Sequence, residues 1–256
     1  MLNQTDAANG LKAIKTSRNY VQSVRLFYVI AACISLAVSL TGFRNFYLAG
    51  RGFGGNPLTH QIVPLIFVHA FAMSCWPILL LVQSVLVYNG KLRIHMTLGL
   101  IGAFLAGAIV ILGFAMGIFS THFNPMAYRM FGGGKFFLIE MLTEIVLFGI
   151  LVAIAIIYRR RAEIHRPAIL VATVVIMSGA LARCPVIDDL AAIAPLYAYG
   201  PVMLFGMLLI PIYWLVTKTV DRWYNIMLTG VGIVFLISVP LGHSTPWRSL
   251  LGNFIQ

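Results

Sequence analysis

Charge is the scarcest commodity in this chain. Its 256 residues include 18 Lys and Arg but only 7 Asp and Glu, a charged fraction of 10%, against roughly 25% in an average soluble domain. With 60% apolar residues and a mean hydropathy of +0.93, the shortage excludes an ordinary soluble domain and indicates an integral membrane protein. Cysteine is scarce too. Cys33, Cys75 and Cys184 are odd in number, far apart and in no CxxC arrangement, so they supply neither a disulfide framework nor a structural zinc site and read as small apolar fillers. Other signatures are missing. The Gly50–Pro57 run lacks the GxxxxGK[ST] spacing of a phosphate loop, and HxxxH, ExxH and CxxCH spacings are absent. The polar stretch Met1–Tyr20 has no short apolar region with a small-residue cleavage site, so the first span is expected to persist as an uncleaved anchor.

What the chain has in quantity is long apolar runs. Seven can be marked: Val24–Thr41, Ile62–Tyr88, Met96–Phe119, Phe136–Tyr158, Pro167–Cys184, Leu196–Thr217 and Trp223–Leu241. Most approach the ~20 residues that cross a hydrocarbon core. They predict an all-α fold, one polytopic bundle of seven transmembrane helices (24–241) between a polar basic tail (1–23) and a short outer tail (242–256). Six spans is the alternative if the fifth, shortest run only dips into the membrane. Pro64 and Pro77 predict a tilt or kink in the second. Gly113 and Gly117 form a GxxxG pair in the third, a close-packing device that favours internal packing over a homodimer.

A net charge of +11 would suggest nucleic acid in a soluble protein, but its placement argues otherwise. Lys12, Lys15, Arg18, Arg25, Lys91, Arg93, Arg159, Arg160, Arg161, Arg166, Lys218 and Arg222 are 12 of the 18 basic residues and fall on one side of the predicted membrane. Arg44, Arg51, Arg129, Lys135, Arg183 and Arg248 fall on the other. The positive-inside rule then places the N-terminus inside and the C-terminus outside, as expected of a bacterial inner-membrane protein. Lipid is the expected surroundings and no nucleic-acid partner is needed.

Glu140 and Glu144 carry the clearest functional signal. They lie four residues apart in an apolar run, so they share one helix face. A carboxylate at bilayer depth costs roughly 2.5–3.5 kcal/mol on insertion scales unless it is neutral, paired or facing a polar cavity. At 1.5 Å per residue, Glu140 lies ~6 Å, His69 ~10 Å and Glu144 ~12 Å below the outer boundary. His60, His122, Arg183, Asp188, Asp189 and His243 are expected at or near that boundary.

The leading expectation is a metal- or haem-binding membrane protein, a redox carrier or enzyme with its centre in the outer half of the bilayer. A small-solute or proton-coupled transporter is the alternative. Three chemistries fit these residue types. His69, Glu140 and Glu144 could ligate a divalent metal, with Arg183 and Asp188 balancing charge. His69 with His122 or His243 could hold a haem axially. The same residues, with Arg183, could form a catalytic or proton-relaying pocket for a small-molecule substrate in a transporter. A helix-locking role for the glutamates is the plain alternative, as is a non-catalytic accessory subunit with a membrane-protein partner. His95 and His165 each open a helix at the inner interface and read either as capping residues or as a pair of cofactor ligands. Trp76 and Gln83 share a face of the second span, and Gln83 is expected to bond across helices. Tyr47, Phe53, Tyr128, Tyr197, Tyr199, Trp223, Tyr224 and Trp247 are placed for an aromatic belt.

The series His69–Trp76–Gln83, Gly90, His95-Met96-Thr97-Leu98-Gly99 and Glu163-Ile164-His165-Arg166 resembles a broad set of uncharacterised bacterial multi-pass inner-membrane proteins. Those carry an "LHxxLG" turn and a later "EAHxR" turn. The likeness covers about Val68 to Arg183, with Ile94 and Met96 standing where the pattern has Leu and Arg. It implies an inner-membrane helical bundle in which His69, His95 and His165 matter, and it implies no particular activity.

Overall fold

A computed structural model describes residues 4–52, 55–123, 134–184 and 199–251. Among them every regular element is helical: α1 Gln4–Gly42, α2 Arg44–Ala49, α3 Val63–Tyr88 after a 3-10 turn at His60–Ile62, α4 Leu92–Phe123, α5 Gly134–Ile157, α6 Ala162–Val175, α7 Ser178–Leu181, α8 Gly200–Thr217, α9 Arg222–His243 and α10 Thr245–Leu250. Six stretches are long and apolar enough to cross a membrane: Arg18–Gly42, His60–Tyr88, Leu92–Phe123, Leu138–Ile157, Gly200–Thr217 and Arg222–His243. They match six of the seven expected runs to within a few residues. The basic tail is not a separate element. From Gln4 it is helical and continuous with the first span.

The fifth run is different in kind. It is a broken segment, α6 then α7, interrupted at Ile176–Met177. At 1.5 Å per residue α6 alone is ~21 Å long, short of the ~30 Å hydrocarbon core. The six long helices close a ring in the order α1, α3, α4, α5, α9, α8 and back to α1, and α6 sits within it against α1, α5, α8 and α9. Ile164, Pro167, Ala168 and every residue from Leu170 to Val175 of α6 are buried. From Pro167 on the helix is apolar on all sides, as suits a helix inside a bundle, and only Ile169 in that stretch is half-buried. The ring's outer surface instead presents Phe71, Leu100, Phe104, Ile111, Leu236 and Ile237.

Small residues set the spacing, as in bilayers generally, where packing rather than water expulsion holds helices together. A methyl group on Gly113 would collide with the Ile145 side chain, and one on Gly42 with the backbone of Ala180. The GxxxG pair of α4 therefore packs internally on α5, with Gly117 against Leu138 and Met141. Pro64 lies in the first turn of α3 and Pro77 inside it, where the helix runs on through the proline. The chain reverses after α3 at Gly90, whose φ of 71° suits glycine.

Candidate functional site

The break in the central segment and the acidic face of α5 meet. Ser178, the first residue after the interruption, donates its hydroxyl to Glu144 Oε2 at 2.5 Å. Glu140, one turn along, is 6% exposed. The two carboxylates are electrostatic neighbours. Glu140 Oε2 and Glu144 Oε1 are buried without a hydrogen-bond partner, and among the described residues neither glutamate forms a salt bridge with a basic side chain. A helix-locking role can rest on protonated glutamates or on a bond to Arg183 or His69. Among the described residues Arg183 forms no salt bridge with them, while the Ser178–Glu144 bond does tie α7 to α5. Arg183 Nη1 donates to Gly179 O and the guanidinium lies over the Phe43 ring, 5.0 Å from the centroid.

Tyr199 lies near this acidic face. Its position feels both glutamates and the Thr143 hydroxyl. Its own hydroxyl accepts from Ser238 Oγ at 3.0 Å, and its ring stacks on Phe235 with centroids 3.9 Å apart and planes 7° from parallel. The site is thus two carboxylates from α5, hydroxyls from Thr143, Ser178, Tyr199 and Ser238, and the stacked rings of Tyr199 and Phe235. Tyr199 departs from the expected aromatic belt, being 6% exposed. Tyr224 departs likewise, donating its buried hydroxyl to Gly206 O at 2.8 Å.

One turn further along α5 the contacts are mainly apolar. Trp76 of α3 meets Phe148 of α5 edge-on at 5.0 Å and donates Nε1–H to Thr173 Oγ1 of α6 at 3.0 Å. Phe148 is one turn from Glu144, and Trp76 two turns from His69, so His69 does share the glutamates' layer. The charged group bearing on His69 is Arg183, and His69 Nδ1 is buried without a partner. Among the described residues no three of His, Cys, Asp and Glu converge as a metal set, so His69, Glu140 and Glu144 are not gathered round one ion. His69 likewise makes no ring contact with His122, which lies against Phe123, or with His243, whose Nδ1 pairs with Val239 O. Asp188, Asp189, Arg129, Tyr128 and Tyr197 lie outside the described residues.

Two other expectations resolve near the turns that follow α3 and α5. His95 and His165 are brought together, ring centroids 6.3 Å apart and planes 86° crossed. Gln83 does not bond across helices through its carbonyl. Its Nε2 lies toward Gly99 while Oε1 is buried and unpartnered. Outside the spans, Asp221 caps α9 by accepting from Tyr224 N at 3.0 Å and also accepts from Tyr28 Oη at 3.3 Å. Burial nonetheless raises its carboxyl above the usual carboxylate range.

No protein-family model, curated protein or solved structure matches the chain.

Proposed function

We propose that this chain is a proton-coupled membrane transporter of a small solute, with Glu140 and Glu144 as the centre that takes up and releases protons. The observation that carries the reading is the pair of buried carboxylates with unpartnered oxygens and, among the described residues, no basic partner. Two such groups on one helix face each bear the cost of a charge in hydrocarbon. The site lowers that cost by taking up a proton or a cationic group, and exchange between the two is the chemistry of a coupled carrier. The hydroxyls of Ser178, Thr143 and Tyr199 supply polar contacts at the rim. The interruption at Ile176–Met177 beside Glu144 supports the same reading, because carriers form their sites at breaks in discontinuous helices.

In this reading the broken segment α6–α7 completes a seventh crossing inside the ring. The N-terminus lies inside and the C-terminus outside, in agreement with the 12 basic residues on the inner side, and the host is a bacterial inner membrane. The test is reconstitution into liposomes with a trapped pH dye, followed by addition of small amines and quaternary ammonium ions outside. Solute-dependent alkalinisation of the lumen that is lost in Glu140→Gln/Glu144→Gln supports the carrier. Equal proton uptake by the wild type and the double variant in detergent counts against it.

A further inference from the structure

We propose that His95 and His165 form a second site, a two-imidazole seat for a late first-row transition-metal ion at the inner end of the bundle. The site is separate from the carboxylate pair. Ala155, whose carbonyl holds His165, lies 11 residues along α5 from Glu144, or ~16 Å at the helical rise.

The geometry begins with the end of α5. That helix stops at Ile157, so the Ala155 carbonyl is among the last four, which lack an ordinary intrahelical partner. His165 Nδ1 lies 2.9 Å from that carbonyl oxygen, across the turn between α5 and α6. A carbonyl only accepts, so Nδ1 carries the hydrogen and Nε2 keeps its lone pair. A backbone carbonyl holding one ring nitrogen so that the other is free is how metal-ligating histidines are oriented.

Capping the α5 terminus explains His165 alone. It leaves His95, in the first turn of α4, without a purpose: its Nδ1 is buried with no hydrogen-bond partner, a condition that ordinarily costs about 1–3 kcal/mol. The polar neighbours bearing on His95 are His165 and Arg166. A guanidinium has no acceptor to offer, and no hydrogen bond joins His95 Nδ1 to the free lone pair of His165 Nε2. A shared ion satisfies both rings. With metal–nitrogen bonds of ~2.0–2.1 Å, two imidazoles on one ion place their centroids ~5.2 Å apart at a tetrahedral angle and ~6.4 Å apart when the two bonds are collinear, as for trans ligands. The observed separation is 6.3 Å.

The surroundings narrow the ion. No carboxylate joins the rings, since Glu163 in the first turn of α6 is exposed, and among the described residues no third His, Cys, Asp or Glu completes the set. Hard ions that need oxygen donors are therefore disfavoured, whereas imidazole suits copper, nickel and zinc, with Cu²⁺ bound most strongly in that series. Only two protein donors leave positions open for water or an anionic ligand, whose charge Arg166 would offset.

The experiment uses the full-length protein, purified in detergent with a histidine-free tag and stripped by chelator, then titrated with Cu²⁺ and separately with Zn²⁺. One Cu²⁺ per chain, with an electron paramagnetic resonance signature of two imidazole nitrogens, is expected. Either His95→Gln or His165→Gln should weaken binding by more than the roughly 10- to 100-fold that loss of a mere orienting partner brings. His60→Gln, in the exposed 3-10 turn, should leave it unchanged. Thermal denaturation keeps the test sound if a variant is fragile: both ions should raise the midpoint of the wild type but not of His95→Gln, which leaves the Ala155 contact intact. Binding or stabilisation that persists in both single variants, or a wild type that takes up no stoichiometric ion, overturns the proposal.

Discussion

Replacing Glu144 by glutamine should make this protein more stable, and only where the carboxylate would otherwise be charged. Gln keeps the length of the side chain and an oxygen to accept from Ser178 Oγ, so the 2.5 Å bond survives. What disappears is a negative charge beside Glu140. Side chains four apart on a helix have Cβ atoms about 5–6 Å apart. Two like charges ~6 Å apart at an effective dielectric constant of about 20 repel by ~2.8 kcal/mol. Removing a single unpaired carboxylate from the bundle also saves some of the roughly 2.5–3.5 kcal/mol insertion cost. The two terms overlap, so a net gain of about 1–3 kcal/mol is the reasonable magnitude. The assay is thermal or denaturant unfolding in detergent across a pH series. The gain should be present at alkaline pH, where the wild type carries both charges, and should close at acidic pH, where it is protonated. A Glu144→Gln protein less stable than the wild type at every pH would refute the reasoning. It would mean that the carboxylate is held by a favourable partner and works as a lock between helices.

Other expectations follow from single contacts. Gly113→Leu, which drives a side chain into Ile145, should cost about 1–3 kcal/mol by overpacking, whereas Gly107→Leu, with open space at its Cβ, should be close to neutral in the same unfolding assay. Trp76→Phe removes the bond to Thr173 and should cost on the order of 1 kcal/mol, with a matching loss of buried tryptophan fluorescence. Asp221→Ala removes the cap on Tyr224 N and should cost about 1 kcal/mol. Asp221→Asn should recover most of it, because an amide oxygen caps equally well.

The membrane spans were readable because an apolar run of span length has few alternatives, and six of seven bounds agree with helices in the fold. The fifth run looked like a short version of the others. Its interruption at Ile176–Met177 has no proline or charge to mark it, and a segment buried on every side carries no lipid-facing stripe to betray its place. The acidic face of α5 was legible because i and i+4 share a face whatever the fold. Depth was also legible, since rise per residue is fixed, and His69 does lie in the glutamate layer. Direction was not: which way His69 points depends on how α3 is turned in the ring, and among the described residues His69 and the two glutamates do not converge as a metal set. Ser178 and Tyr199 went unread for related reasons. A serine inside an apolar run signals little alone, and a tyrosine at a span boundary reads as a lipid-interface residue until a fold turns its hydroxyl inward.

The central claim is that Glu140 and Glu144 bind protons within the bundle. Infrared difference spectroscopy of the reconstituted protein through a pH jump reads it directly, in the carbonyl band of protonated carboxyl groups. The account predicts a band in the wild type that shrinks in Glu140→Gln and in Glu144→Gln and vanishes in the double variant. A band of undiminished intensity in the double variant, or no carboxyl titration in the wild type, would contradict it.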